Sequence, residues 1–207
     1  MQKICRLVYY LIMTDTSKGA RTRERLVESM LELIQASGYA GTGLNTVTAH
    51  ARAPKGSLYF HFPEGKRAMG EAAIALAASR FQTLIDRTEP GPATPREVLS
   101  RVVDVLCEIL TRSDFRLGCP VSVVTLEMGA DDDRLREACA KAFETWIASF
   151  AALLAAEGHP VDKARSLATA VVSMVEGATI VSRAQRDVGP LRAAETLLST
   201  MLERTGP

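Results

Sequence analysis

The chain has 207 residues and a net charge of +1; 47% of its residues are apolar, 24% charged and only 5% aromatic. Such a chain can bury a sizeable core, and it carries no overall positive field that would by itself point to a polyanion partner. The charge is unevenly spread, with eight Lys/Arg against five Asp/Glu between Thr14 and Gly70, and 15 against 19 from Glu71 onward. A basic first quarter on an acidic body fits a nucleic-acid-binding head.

Residues 1–13 carry Lys3, Arg6 and the apolar run Leu7–Met13. The run is too short for a membrane helix, which needs about 20 apolar residues. It also lacks the long core and small-residue cleavage site of a secretory signal. We read it as an extension or a mis-set start, with translation beginning at Met13, and expect no membrane partner.

Beyond it, the apolar spacing is helical almost throughout. A first helix is predicted from about Thr22 to Ser37, with Leu26, Met30, Leu33 and Ile34 as its buried stripe and Gly38 just past its end. Leu44, Val47 and Ala51 mark a short second helix, and Pro54–Phe62 a short aromatic third. After the turn Pro63-Glu64-Gly65, a fourth runs from Lys66 to about Arg87. Thr94-Pro95-Arg96-Glu97 is the sharpest local signal: a capping box with proline at the first helical position. Val98, Val102, Leu106, Ile109 and Leu110 should face inward on the helix that follows.

Cys119-Pro120 opens the next segment. Its Val121–Thr125 run is ambiguous with a strand, but helical neighbours and the early proline favour helix. Asp131–Asp133 place negative charge where a helix N-terminus favours it. The helix they open carries Leu135, Cys139, Phe143, Trp146, Phe150 and Leu153 at helical spacing, and Gly158-His159-Pro160 stops it. A long helix from Val161 to Arg186 follows, and Gly189-Pro190 separates it from a last helix to about Arg204. The expected fold is all-α, with about nine helices. Cys5, Cys107, Cys119 and Cys139 are scattered without metal spacing, so no metal and no cofactor are expected, and reduced thiols fit a cytoplasmic protein.

The segment Leu44–Lys66, LNTVTAHARAPKGSLYFHFPEGK, reads as two short helices joined by a tight turn. The second begins with small or basic residues (Lys55, Gly56, Ser57) that can enter a major groove without clashing. Lys55 and the first-turn amides would meet phosphates or base edges. Tyr59 and His61 can donate to phosphate oxygens, Leu58 and Phe62 should turn into the core, and Lys66 is a further phosphate candidate. Phe60 fits either packing on the head or a contact to thymine methyls.

The stretch APKGSLYFHFPEGK, Ala53–Lys66, resembles the recognition helix and following turn of TetR-family repressors. It is most like the LmrA and YxaF subgroup, in which APKGSLYHHFPGGK is typical. Gly118-Cys-Pro-Val, with Leu126-Glu127 after it, resembles that subgroup's regulatory domain, and Glu176-Gly177 is a looser match. The resemblance implies a three-helix helix-turn-helix head at residues 14–66 and a larger helical ligand-binding and dimerisation domain at residues 67–207. It also implies a homodimer on palindromic double-stranded operator DNA, released by a small-molecule effector. Carried over by position, DNA contacts fall on Asn45, Thr46, Lys55, Gly56, Ser57, Tyr59, Phe60, His61 and Lys66. Arg52 stands where the family usually has glycine in a left-handed turn, which would cost about 1–2 kcal/mol.

Phe81, Met128, Phe143, Trp146, Phe150 and Met174 are the candidate lining of an effector pocket, with ordinary core as the alternative. Trp146 is the foremost, since an indole stacks on flat ligands and donates one hydrogen bond. The effector implied is largely apolar or aromatic, of a drug-like or flavonoid-like kind. Gly177, Ile180, Val181, Ala184, Leu197, Thr200 and Met201 are the candidate dimer seam; intrachain core is the alternative. No nucleophile with a base, metal spacing or phosphate loop supports an enzyme. Control by thiol oxidation, with Cys119 at a helix N-terminus, or by a protein partner is the alternative to a small effector.

Overall fold

The computed structural model describes residues 18–86 and 93–202. The expected extension at residues 1–13 lies outside them, as does most of the Glu89–Ala93 loop. The described residues form nine helices: α1 (Lys18–Ser37), α2 (Leu44–His50), α3 (Lys55–His61), α4 (Lys66–Asp86), α5 (Pro95–Arg112), α6 (Pro120–Met128), α7 (Asp133–Ala156), α8 (Val161–Gln185) and α9 (Gly189–Leu202). No strand occurs among them, so the all-helical expectation holds.

Local chemistry explains most of the boundaries. α1 takes in Lys18–Arg21, ahead of the expected start at Thr22, and ends at Gly38, whose φ of +77° suits a residue without a Cβ. The capping box forms as read: Thr94 Oγ1 accepts from the Glu97 amide at 3.2 Å, and Glu97 Oε2 accepts from the Thr94 amide at 2.8 Å. The second bond holds the Glu97 carboxyl below the usual range. The β-branched run at 121–125 is helical, with Pro120 in the first turn of α6. Asp132 caps α7, its Oδ1 accepting from the amides of Arg134 and Leu135 at 3.1 and 3.2 Å. Gly189-Pro190 forms the first turn of α9 instead of a gap before it, because proline suits an early helical position.

Helices α7 and α8 are long and apolar enough to cross a membrane by length and composition alone. Each nevertheless buries one stripe and exposes charge on another: Arg165 on α8 pairs bidentately with Glu144 on α7 at 2.8 and 2.9 Å. That pattern is amphipathic, as in a helix that lays one face on a globular core.

The chain packs as two compact units. One comprises residues up to Arg80 together with Cys119–Ala142; the other comprises Phe81–Gly118 and Phe143 onward. In the first, Leu26, Met30 and Ile34 of α1 are fully buried with Val47 of α2, while Leu58 of α3 and Phe62 just after it are almost so. α1 packs against α2, α3 and α6. In the second, α8, α9 and α5 pack on one another around Leu99, Val103, Leu110, Ala168, Leu191 and Leu198. The Leu153 expectation shifts by one residue: Leu154 is fully buried, and Leu153 only half-buried.

Candidate nucleic-acid interface and effector cavity

Helices α2 and α3 are seven residues each, joined through Ala51–Pro54. Helices this short are marginal in isolation, so their geometry comes from what they bury. Val47 and Thr48 of α2 and Leu58 of α3 face α1, and Phe62 follows them inward with the Arg23 guanidinium 5.1 Å over its ring. The joining turn is left-handed at Arg52, where φ is 49°. A left-handed conformation is therefore kept here with a side chain attached, at a steric cost of about 1–2 kcal/mol.

Burying Leu58 turns the opposite side of α3 outward. Lys55, Gly56, Tyr59 and Phe60 form one exposed strip, with Tyr59 63% and Phe60 80% accessible. Phe60 does not pack into the head; its one ring neighbour is His61, edge-on with centroids 5.0 Å apart. Ser57 and His61 are half-buried at the strip's margin, and Asn45 and Thr46 are exposed on the first turn of α2. A Cβ on Gly56 would meet nothing within 4 Å, so the chain's own packing does not require glycine there. No side chain caps α3. Lys66 is placed differently: its ammonium donates to the Ala40 carbonyl at 3.2 Å and lies 4.5 Å from the centre of the Tyr39 ring. Burial pulls its pKa down, and the Glu127 carboxylate acts in the opposite sense.

In the second unit, Phe81, Trp146 and Phe150 meet on the wall of one cavity with Ile85, Leu99, Val102, Val171, Val172, Val175 and Glu176. Phe81 and Trp146 lie 4.6 Å apart between ring centres. Three of the six expected lining residues are thus brought together. Phe143 backs Trp146 edge-on at 5.5 Å without reaching the cavity. Met174 points elsewhere on α8, and Met128 belongs to the other compact unit, where α6 packs on α1. The aliphatic lining was not anticipated; the Val171/Val175 pair, one helical turn apart, was its legible signal. The space between these walls is about 380 Å³, part of it open to solvent. Glu176 is the one ionisable group on this wall.

A third surface runs along α8 and α9. Gly177, Ile180, Val181 and Ala184 on α8 and Leu197, Thr200 and Met201 on α9 are all exposed, Ile180 at 47% and Leu197 at 54%. These residues are not intrachain core. α8 continues unbroken through Gly177, and a Cβ there would meet nothing within 4 Å. Neither a kink nor an intrachain crossing accounts for this glycine. Among the described cysteines, Cys107 and Cys139 are buried, and burial raises both thiols away from the reactive thiolate. Cys119 is half-buried at the N-cap of α6. No cluster of three His, Cys, Asp or Glu able to hold a metal occurs among the described residues.

Two short helices packed on α1, the second presenting an exposed strip, are the arrangement of a helix-turn-helix transcriptional regulator. Residues 26–73 match the description "Bacterial regulatory proteins, tetR family", and residues 95–197 match "Transcriptional regulator LmrA/YxaF-like, C-terminal domain". An uncharacterized HTH-type transcriptional regulator of Mycobacterium tuberculosis is 34% identical, over 87% of this chain and 93% of its own. The HTH-type transcriptional regulator LmrA of Bacillus subtilis is 29% identical, over 88% of this chain and 97% of its own. The crystal structure of regulatory protein TetR from Rhodobacter sphaeroides superposes with a TM-score of 0.75 at 29% identity, covering 86% of this chain and 96% of that one. The chain belongs to the TetR family of transcriptional regulators and carries an LmrA/YxaF-like C-terminal domain. The family is not enzymatic, and membership implies DNA binding with a C-terminal effector and dimerisation domain.

Because Arg52 is left-handed, Arg52→Gly should stabilise the chain by about 1 kcal/mol. A higher urea midpoint at unchanged slope is the expected result; an equal or lower midpoint would mean that this turn carries no strain.

Proposed function

We propose that this chain is a cytoplasmic repressor that binds palindromic operator DNA as a homodimer and is released by a small, largely apolar or aromatic molecule. In this reading residues 14–66 contact DNA, and residues 67–207 hold the effector and pair the subunits. The observation that carries it is the exposed strip of α3. Phe60 stands exposed beside Tyr59 and Lys55, its ring meeting that of His61 edge-on. The strip offers a major groove one apolar, one hydroxyl and one cationic group. The thymine methyl is the groove's apolar feature, and phosphates accept from the other two. Gly56 leaves room for close approach of the duplex. Ser57 and His61 flank the strip on α3, Asn45 and Thr46 are exposed on the first turn of α2, and Lys66 would add positive charge from the start of α4.

Two such strips must sit about 34–36 Å apart to read a near-palindrome. The apolar face of α8 and α9 is the proposed seam. An exposed run containing Ile180, Val181, Leu197 and Met201 is what a partner copy would cover, and Gly177 would let the two α8 helices approach closely. Release follows if the effector binds better to a form whose recognition helices are wrongly spaced. Phe81, Trp146 and Phe150 supply the flat apolar walls of its site.

A duplex selected from a random-sequence pool by the native chain should contain an inverted repeat. On it, Lys55→Ala should weaken binding and lower the salt slope by about one unit; an unchanged slope would take Lys55 off the phosphate backbone. Trp146 is the sole tryptophan, so an aromatic effector should quench its fluorescence at the concentrations that release DNA. Release without any change at Trp146 would move the effector elsewhere. Leu197→Asp should yield a folded monomer by sedimentation with operator binding lost, and a persistent dimer would rule out this seam.

A further inference from the structure

The turns at both ends of the α2–α3 pair are held by side chains from one segment far along the chain, the corner between α6 and α7. Ahead of α2, the Glu127 carboxylate accepts from the Ala40 amide at 2.9 Å, a tie between residues 87 apart in sequence. The carboxylate occupies the space a side chain at position 38 would need: a Cβ on Gly38 would stand 1.9 Å from Glu127 Oε1. Lys66 closes the same turn through the Ala40 carbonyl. Behind α3, Glu64 lies in the turn after the recognition helix. Arg134, in the first turn of α7, pairs with it and also grips Glu71 at 2.7 Å. That contact holds the Glu64 carboxyl below its usual range. Asp132 adds a 2.7 Å pair with Arg67. All these residues belong to one compact unit, although Glu127, Asp132 and Arg134 fall within the stretch matched by the C-terminal family description.

We infer that the α6–α7 corner sets the posture of the helix-turn-helix, with Glu127 as a positioning residue for operator recognition and the Glu64–Arg134 pair as the second anchor. The inference rests on the reading of α3 as the recognition helix. α2 and α3 are too short to hold an orientation alone, so fixing the turn before α2 and the turn after α3 fixes the pair between them. The Glu127–Ala40 bond has an ionised acceptor, and such bonds are about twice as strong as neutral ones. The second anchor is a network of one guanidinium and two carboxylates, which holds better than an isolated surface pair.

The sign of the effect separates posture from charge. Glu127→Ala removes a negative charge from a unit that must approach a polyanion, so charge alone makes DNA binding tighter. Positioning makes it weaker, and only for the operator. On the duplex selected by the native chain, fluorescence anisotropy at matched salt should find Glu127→Ala about 5- to 10-fold weaker. Affinity for a random duplex at low salt should stay equal or rise slightly, since that binding is largely phosphate neutralisation. Glu127→Gln keeps an acceptor oxygen for the Ala40 amide and should recover most of the loss. Glu64→Gln should cost about 2- to 3-fold on the operator, in the range of an exposed ion pair.

Operator affinity in Glu127→Ala equal to or above native would overturn the inference, as would a Glu127→Gln variant as weak as Glu127→Ala. Should Glu127→Ala lose its helical circular dichroism, Glu127→Gln decides alone: operator binding near native supports the tie, and a folded Gln variant that has lost it refutes it. A native chain that selects no duplex at all overturns the reading of α3, and this inference with it. Native binding matched by equal binding of Glu127→Ala overturns the inference only.

Discussion

The exposed strip of α3 depends on the burial of Val47, Leu58 and Phe62 against α1. Two seven-residue helices have too few internal hydrogen bonds to outweigh the entropy of ordering them. Each of these side chains, taken fully out of water, contributes about 1.5–3 kcal/mol, and together they decide which side of α3 faces outward. With Leu58 locked inward, helical geometry leaves Lys55, Gly56, Tyr59 and Phe60 on the opposite side. The exposure of Phe60 is thus a consequence of the core beneath it.

Posture is a separate matter from burial. A hydrophobic contact is non-directional and tolerates small rotations of α2 and α3 over α1. Directional contacts then matter most at the two turns flanking the pair, and there the chain uses charge: Glu127 on the Ala40 amide, and Arg134 on Glu64. Gly38 is part of the same device, because any side chain at that position would displace the Glu127 carboxylate.

The second unit divides its apolar surface between an enclosed part and an open part. Phe81, Trp146 and Phe150 converge on one apolar-walled cavity. The open part, on α8 and α9, leaves Ile180, Val181, Leu197 and Met201 in water. α4 carries both Arg67 and Phe81, and α7 both Arg134 and Trp146.

The helices and the character of the head are legible in the residues alone. Helical periodicity, the Thr94–Glu97 capping box and the small, basic start of α3 are local signals, each written within a few residues. The same locality made the inward turn of Leu58 and Phe62 legible. Which aromatic residues would share a cavity was not local: Phe81 and Trp146 are 65 positions apart, and nothing in the spacing of Phe143, Met128 or Met174 distinguished them. Glu127 and Arg134 carried no motif for what they touch, because an ion pair or a capped turn exists only once distant segments are packed. The tertiary structure alone decided those partners. Periodicity records which side of a helix is apolar; it does not record which other helix will cover that side.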